Sequence, residues 1–200
     1  WPASDLQALY DVGVRHFGES YAQEWEEKAP QLPDDIQWHF IGHLQSNKAR
    51  LLAGKTHLVH SVDRNSLIKE LSKRSKQEDA VSRILLQVNV GEDENKSGVD
   101  ADAVFGLLEK ATSRENLIVC GLMTIPPFEQ DPETNRGNFR ERAALIDPCR
   151  AWLEERGLLE EHPLEEVSMG MSGDFEIAIE EGATIVRVGS AIFGSRNNSD

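Results

Sequence analysis

The stretch Ile84-Leu85-Leu86-Gln87-Val88-Asn89-Val90 decides the fold class, because it carries apolar residues on both alternating faces of an extended strand. Such strands are typical of parallel sheets, in which helices cover one face and a core fills the other. On both sides of this candidate strand, Arg83–Val90, short apolar runs alternate with amphipathic stretches. Strict alternation of strands and helices predicts right-handed crossovers and a parallel α/β sheet.

Six further segments share the short apolar character of a strand. They are Val14–Glu19, Ile36–Gly42, His57–Ser61, Leu117–Ile125, Glu166–Met169 and Thr184–Phe193. Helical periodicity lies between them, over Asp5–Val12, Ser66–Lys76, Ala101–Ala111, Phe139–Arg156 and Ser172–Glu181. We expect Ser4 to cap the first helix, Pro148 to bend or break the longest one and Gly182 to stop the last.

Two architectures fit this alternation: an open doubly wound sheet or a closed barrel. No glycine-rich dinucleotide-binding turn follows an early strand. An eight-stranded (β/α)8 TIM-type barrel needs one strand more than the seven candidates, and the sequence opens on a helix at Trp1. We therefore expect a single barrel domain over residues 1–200 whose first strand precedes Trp1. Either the sequence is a fragment, or the start of the protein is disordered; without that strand, two sheet edges would be unpaired.

Composition excludes several classes of function. The net charge of −14 argues against a nucleic-acid groove, although it leaves room for a small local anion site. The two cysteines, Cys120 and Cys149, are too few for a disulfide scaffold and are expected to be buried, reduced thiols. No apolar run is long enough to span a membrane and no signal peptide is visible, so we expect a cytoplasmic protein.

Two segments near the end of the chain carry candidate phosphate-binding residues. The ends of the last two strands of an eightfold barrel often bind phosphate through backbone amides and a short helix start. Ser172 follows one candidate strand, and Gly189 and Ser190 follow the core of the last one. The alternative is that Ser172 only caps a helix and that Gly189 only permits a tight turn.

Arg187 is a stronger candidate. Strand alternation places Ile185, Arg187 and Gly189 on one face and Val186 and Val188 on the other. If the valines pack under helices, Arg187 points into the barrel, where an unpaired guanidinium is unfavourable. It then faces either a bound anion or ligand, or a buried acid in a structural ion pair.

The segment Trp38–Lys48 runs from a strand through a turn into a helix, so its polar residues lie near the same barrel mouth. His39 and Ile41 end the strand. Asn47 either faces the mouth or caps the next helix. Met123, at the end of another strand, either contacts a ligand or packs in the core.

The histidines do not predict a metal site. His39 and His43 are four residues apart, but across a strand-to-loop change and without a convincing third ligand. The remaining histidines have no recognisable partners in the sequence; they are His16, His57, His60 and His162. No catalytic Ser-His-Asp order is present, and we assign no catalytic residue.

Taken together, these segments resemble the pyridoxal 5′-phosphate (PLP) homeostasis proteins, also called proline synthetase co-transcribed homologues. The matching motifs occur in the family order across nearly the whole chain. They are Phe17-Gly18-Glu19, His39-Phe40-Ile41-Gly42, Leu44-Gln45-Ser46-Asn47-Lys48, Lys96-Ser97-Gly98, Gly121-Leu122-Met123, Ser168-Met169-Gly170-Met171-Ser172, Val186-Arg187-Val188-Gly189-Ser190 and Ile192-Phe193-Gly194. Each motif is weak alone, and the ordered set is specific.

The resemblance implies a barrel like the N-terminal domain of alanine racemase, with PLP as cofactor. Ser172, Gly189 and Ser190 would hold its phosphate, and Arg187 would face its pyridine nitrogen. An arginine there disfavours protonation of the ring nitrogen and weakens the cofactor as an electron sink. No second domain to supply a racemase's opposite base is visible. The implied function is therefore to carry and buffer PLP and to regulate PLP and amino-acid balance without turnover.

Several alternatives stay open. The chain could be a PLP enzyme such as a weak racemase, or a barrel for another phosphorylated metabolite, with a phosphate or sulfate in the same site. PLP-dependent apo-enzymes would be the recipients of a carried cofactor, and the family suggests a monomer.

Two positions depart from the family pattern. The family's Schiff-base lysine lies at the end of the first strand, just before the position of Trp1, and Lys48 and Lys96 belong to other motifs. Ser20 replaces a common asparagine.

Overall fold

A computed structural model describes residues 1–89, 97–127 and 129–194. Its centre is a seven-stranded, all-parallel sheet in the order β1-β2-β3-β4-β5-β6-β7, curved into a near-closed barrel. The strands are β1 (His16–Glu19), β2 (Gln37–Phe40), β3 (Leu58–Val62), β4 (Ser82–Gln87), β5 (Leu117–Met123), β6 (Glu166–Met171) and β7 (Ile185–Arg187).

Helices connect each strand to the next. They are α1 (Ala3–Asp11), α2 (Ala22–Lys28), α3 (Ala49–Leu52), α4 (Asn65–Gln77), α5 (Val104–Thr112), α6 (Arg136–Ala143), α7 (Ile146–Glu154), α8 (Phe175–Glu180) and α9 (Ser190–Phe193). Short 3-10 turns precede or follow several of them, at Ala29–Gln31, Ser46–Lys48, Ala101–Ala103 and Pro132–Asn135. None of the helices in the described ranges is long and apolar enough to cross a bilayer.

The predicted parallel α/β barrel and its seven strands are confirmed. The predicted break in the longest helix is also confirmed, since α6 ends at Ala143 and α7 begins at Ile146. Pro148 lies in the first turn of α7, where its missing amide proton is tolerated. Val90 and Lys96 lie outside the described residues.

Three predicted local features are wrong. The last strand ends at Arg187 rather than Phe193, because the chain turns at Gly189 into α9. Ser4 does not cap α1: the helix already includes it, and its hydroxyl contacts Asp5 instead. The predicted helix Ser172–Glu181 is α8, which begins at Phe175 with Asp174 as its N-cap residue, so it does not start at Ser172.

Side-chain alternation separates the apolar residues under the helices from those inside the barrel. Trp38, Phe40 and Val59 point outward and pack in the main core under the helices. Residues of the opposite parity fill part of the barrel interior; they are Leu58, Leu85, Cys120 and Met123, with Ile118 and Ile185 against them. Both cysteines are free and buried, and burial raises the pKa of Cys149 to about 11.

The barrel is not closed by pairing between its first and last strands. Among the described residues, β1 pairs only with β2, and β7 pairs only with β6. The gap between β1 and β7 is flanked by α1 and α9, whose ends meet where the Trp1 and Phe193 rings stack 5.3 Å apart. This gap opens the barrel interior along one side.

Gly121 sets the close pairing of β5 and β6. It lies opposite Glu166, and a Cβ atom added to it would overlap the backbone carbonyl oxygen of Glu166. Backbone cannot move away as a flexible side chain can. Any larger residue must therefore separate the two strands.

We expect Gly121→Ala to lower the free energy of unfolding by about 1–3 kcal/mol or more, since overpacking here acts on backbone. Gly106→Ala is the matched control: Gly106 is exposed on α5, and a Cβ atom added there would have nothing within 4 Å. That change should stabilise the protein by about 0.5–1 kcal/mol through helix propensity. Denaturant titration of both variants checks the pair, and equal stabilities would contradict it.

Candidate functional site

A cavity of about 650 Å³ occupies the interior of the barrel along the gap between β1 and β7. It extends from the amino-terminal strand ends, where His16, His57 and Glu166 lie, to the carboxyl-terminal end beyond β7. Ligand sites in barrels of this kind lie at the carboxyl-terminal end. Arg187 and Gly189 line the cavity there.

Arg187 points into the barrel, as alternation along β7 predicts. Its Nη1 donates to Ser168 Oγ at 2.7 Å, and its Nη2 donates to the Thr124 carbonyl oxygen at 2.8 Å. Burial lowers the pKa of the guanidinium to about 10, while the charge of Asp174 acts in the opposite direction. In the described part of the chain no carboxylate forms an ion pair with Arg187, so the structural ion pair considered from the sequence is not found there.

Hydrogen bonds connect Arg187 to three histidines across the barrel. Ser168 Oγ lies 2.8 Å from His60 Nδ1, His60 Nε2 lies 2.8 Å from His39 Nδ1, and His39 Nε2 lies 2.9 Å from His16 Nδ1. The chain of contacts therefore runs from β7 through β6, β3 and β2 to β1. We call these five residues the polar relay.

Arginine has donors only, so Ser168 Oγ accepts from Arg187. In one arrangement of the relay, the Ser168 hydroxyl proton donates to His60 Nδ1. His60 then donates from Nε2 to His39, and His39 donates from Nε2 to His16. Each of these imidazoles carries one proton in this arrangement.

The pKa values agree with neutral histidines. Burial, followed by the charges of His57 and His16, lowers the pKa of His39 to about 4. Burial also holds the pKa of His60 well below its ordinary value, with His39 and Arg187 adding to the effect. Protonation of His60 would place a second positive charge near Arg187.

The three predicted phosphate-binding residues are brought together. Ser172 follows β6, and its Oγ accepts from the backbone amides of Gly189 at 3.0 Å and Ala191 at 3.2 Å. Ser190 is the first residue of α9. Ser172 therefore does not cap α8; its hydroxyl contacts the turn that begins α9.

The other predicted site residues fall in different places. His39 and Ile41 line the cavity, as does Ser20. Met123 is buried in the interior apolar cluster, and Asn47 is exposed in the 3-10 turn Ser46–Lys48. Neither Met123 nor Asn47 is among the described residues that line the cavity.

Sequence reasoning misses most of the polar relay. The expectation that His16, His57, His60 and His162 have no recognisable partners is wrong. His16 and His60 are hydrogen-bonded, and the His57 ring centroid lies 5.2 Å from that of His39. His162 Nδ1 accepts from the Val119 amide at 3.2 Å. Strand alternation alone could have placed His60 inside, because it shares parity with Leu58. Ser168 stands out in the sequence only as part of a longer motif.

We expect the stability of the protein to fall as the pH is lowered from 6.5 to 4. In that range the unfolded chain binds a proton at residue 39 while the folded protein does not, so the lowered pKa of His39 opposes folding. The difference between these two pKa values corresponds to roughly 3 kcal/mol. Unfolding free energies measured across this range for the protein and for His39→Gln check the effect.

The variant should lose less stability over the same range, while His43→Gln, at an exposed histidine, should behave as the parent protein does. Parallel pH profiles for all three proteins would contradict the assignment to His39.

Comparison with known proteins identifies the family. The model of the alanine racemase N-terminal domain matches residues 4–197. A pyridoxal phosphate homeostasis protein of Aquifex aeolicus is 43% identical over 196 residues, which cover 98% of this chain and 83% of that protein. Another, from Pseudomonas aeruginosa, is 40% identical over 98% of this chain and 81% of its own length.

Solved structures agree with these sequence matches. PipY of Synechococcus elongatus without PLP is 33% identical, with a TM-score of 0.85 over 96% of this chain and 88% of PipY. The same protein with PLP bound gives a TM-score of 0.83 at 31% identity, with the same coverage of both chains. The chain belongs to the family of pyridoxal phosphate homeostasis proteins, with the fold of the alanine racemase N-terminal domain.

Proposed function

We propose that this protein binds PLP in the barrel cavity and carries and buffers it, without turning over a substrate. The single observation that carries the proposal is Arg187, a guanidinium facing the cavity with no carboxylate partner in the described ranges. A buried cation of this kind is stabilised by a ligand with acceptor atoms. The PLP-bound structure of PipY, a relative in the same fold, supports PLP as that ligand.

The residues present fit the cofactor. Ser20, Arg187 and Gly189 line the carboxyl-terminal part of the cavity, the end at which barrels of this kind bind ligands. Ser172, Gly189 and Ser190 would hold the phosphate, which would replace Ser172 Oγ as the acceptor of the Gly189 and Ala191 amides. His39 and Ile41 would line the ring end. Asn47, in the turn Ser46–Lys48, and Met123, in the interior apolar cluster, would support the cofactor site without lining the cavity.

Arg187 also supports a role without turnover. PLP supplies an electron sink to reactions at amino-acid carbons, and that sink is strongest when its pyridine nitrogen is protonated. Arg187 would face this nitrogen and, as a permanent donor and cation, oppose its protonation. The polar relay holds Arg187 in place through Ser168.

We infer that a further strand, carrying the lysine that bonds to the PLP aldehyde, lies between β7 and β1. Both facing edges are unpaired in the described residues, and the cavity opens between them. Such a strand would precede Trp1 and complete an eight-stranded barrel. Lys48 follows a different strand and is not proposed for this role.

The proposed setting is the cytoplasm, where free thiols such as Cys120 and Cys149 stay reduced. The proposed partners are PLP itself and PLP-dependent apo-enzymes that receive it. We propose a monomer. A chain of net charge −14 is unsuited to nucleic acid as a partner.

We expect Arg187→Met to reduce PLP retention about tenfold or more, since a charged hydrogen bond to a ligand contributes roughly 1.5–3 kcal/mol. Absorbance of the bound cofactor after desalting, followed by equilibrium titration with PLP, measures the effect. Arg50→Met is the matched control, because Arg50 is exposed on α3.

Equal PLP affinity in Arg187→Met and Arg50→Met would show that PLP does not contact Arg187 and would contradict the proposed site. The carrier role is tested separately with the PLP-loaded protein and single-enantiomer alanine. Loss of optical rotation would show turnover and contradict that role.

A further inference from the structure

Three histidines from different strands meet at the amino-terminal end of the cavity. His16 begins β1, His39 lies in β2, and His57 immediately precedes β3. Their ring centroids are 5.2 to 5.7 Å apart, and one ring nitrogen from each lies within 4.8 Å of the other two. All three line the cavity.

We propose that His16, His39 and His57 form a binding site for a divalent transition-metal ion such as Zn²⁺. Three imidazoles with an open fourth position are a ligand set that zinc prefers. The cavity supplies the open position, since all three rings face it. This site lies at the opposite end of the barrel from Ser172, Gly189 and Ser190, and it is independent of PLP.

The geometry requires only a modest adjustment. Zn–N bonds of about 2.0–2.1 Å in a tetrahedron place the nitrogens about 3.4 Å apart. His16 Nδ1 and His39 Nε2 are already nearer than this, at 2.9 Å, and need only separate slightly. His57 must move closer, and it is half-buried beside open space rather than fixed in the core.

Two side chains of opposite charge, Arg83 and Glu166, line the same end of the cavity as the three histidines. A zinc ligand must be a neutral imidazole, so binding is tested near neutral pH.

The polar relay provides the outer support that metal-bound histidines need. His39 contacts His60 through Nδ1, which leaves Nε2 for the metal. His39 would then donate from Nδ1 to His60, and His60 would donate from Nδ1 to Ser168. Each ring keeps one proton, so His39 and His60 exchange tautomers without a net proton release. Ser168 can accept from both His60 and Arg187, because its oxygen has two lone pairs.

Spacing along the chain does not point to this site. The spacing of His39 and His43 suggests at most a two-ligand pair, and the structure places His43 elsewhere, with its Nδ1 3.4 Å from Ser97 Oγ. The third ligand, His57, lies 18 residues beyond His39 in the sequence. The pairing of β2 with β3 brings the two histidines together.

Calorimetric titration of the purified protein with ZnCl₂ near neutral pH tests the proposal. We expect one saturable site per chain, and His16→Gln and His57→Gln should each weaken it by about 100-fold or more, beyond the 10–100-fold typical of outer-shell changes. His43→Gln is the matched control and should bind as the parent does. Circular dichroism of each variant checks folding.

A second measurement does not depend on any variant. X-ray absorption at the zinc edge should show three imidazole nitrogens at about 2.0–2.1 Å. No saturable zinc site in the parent protein would overturn the proposal. So would zinc binding that is unchanged in both His16→Gln and His57→Gln, or a bound ion without imidazole ligands.

Discussion

The hydrogen bonds between Arg187 and Ser168 Oγ and the Thr124 carbonyl place a positive charge inside a parallel barrel, and the neighbouring residues are arranged around that charge. Because arginine only donates, Ser168 accepts from it, and hydrogen bonds continue from Ser168 to His60, His39 and His16. Burial lowers the pKa values of His39 and His60, so both rings are neutral near neutral pH. One buried guanidinium is therefore connected by hydrogen bonds to side chains on four other strands.

The side chains that share the inward direction of Arg187 form two groups. One is the apolar cluster around Leu58 and Leu85, and the other is the polar relay. Outward positions such as Trp38 and Phe40 supply the larger core beneath the helices. The apolar surface that stabilises the fold and the polar surface that faces the cavity thus belong to opposite faces of the same strands.

Local pattern is enough to predict the parallel sheet, its seven strands, and the inward direction of Arg187, because each depends on alternation within one segment. Local pattern gives the wrong prediction where a residue interacts with a distant segment or where the chain turns within an apolar run. The local pattern predicts that Ser172 caps a helix, but the Gly189 and Ala191 amides hold its hydroxyl. The segment after Arg187 has the apolar character of a strand, yet Gly189 turns it into α9.

The histidines show a different limit. His16, His39, His57 and His60 lie on three strands and the turns between them, and only the parallel pairing of β1, β2 and β3 brings them together. The spacing of these histidines along the chain does not predict that they are in contact. A prediction from sequence would have required the strand register, which depends on tertiary packing rather than on local propensity.

A crystal structure of the protein with PLP tests the central claim most directly. We predict that the cofactor lies in the cavity between β1 and β7, with its phosphate at Ser172, Gly189 and Ser190 and its pyridine nitrogen facing Arg187. A cofactor bound at another surface, or bound in the cavity with its phosphate against Arg187, would contradict that claim.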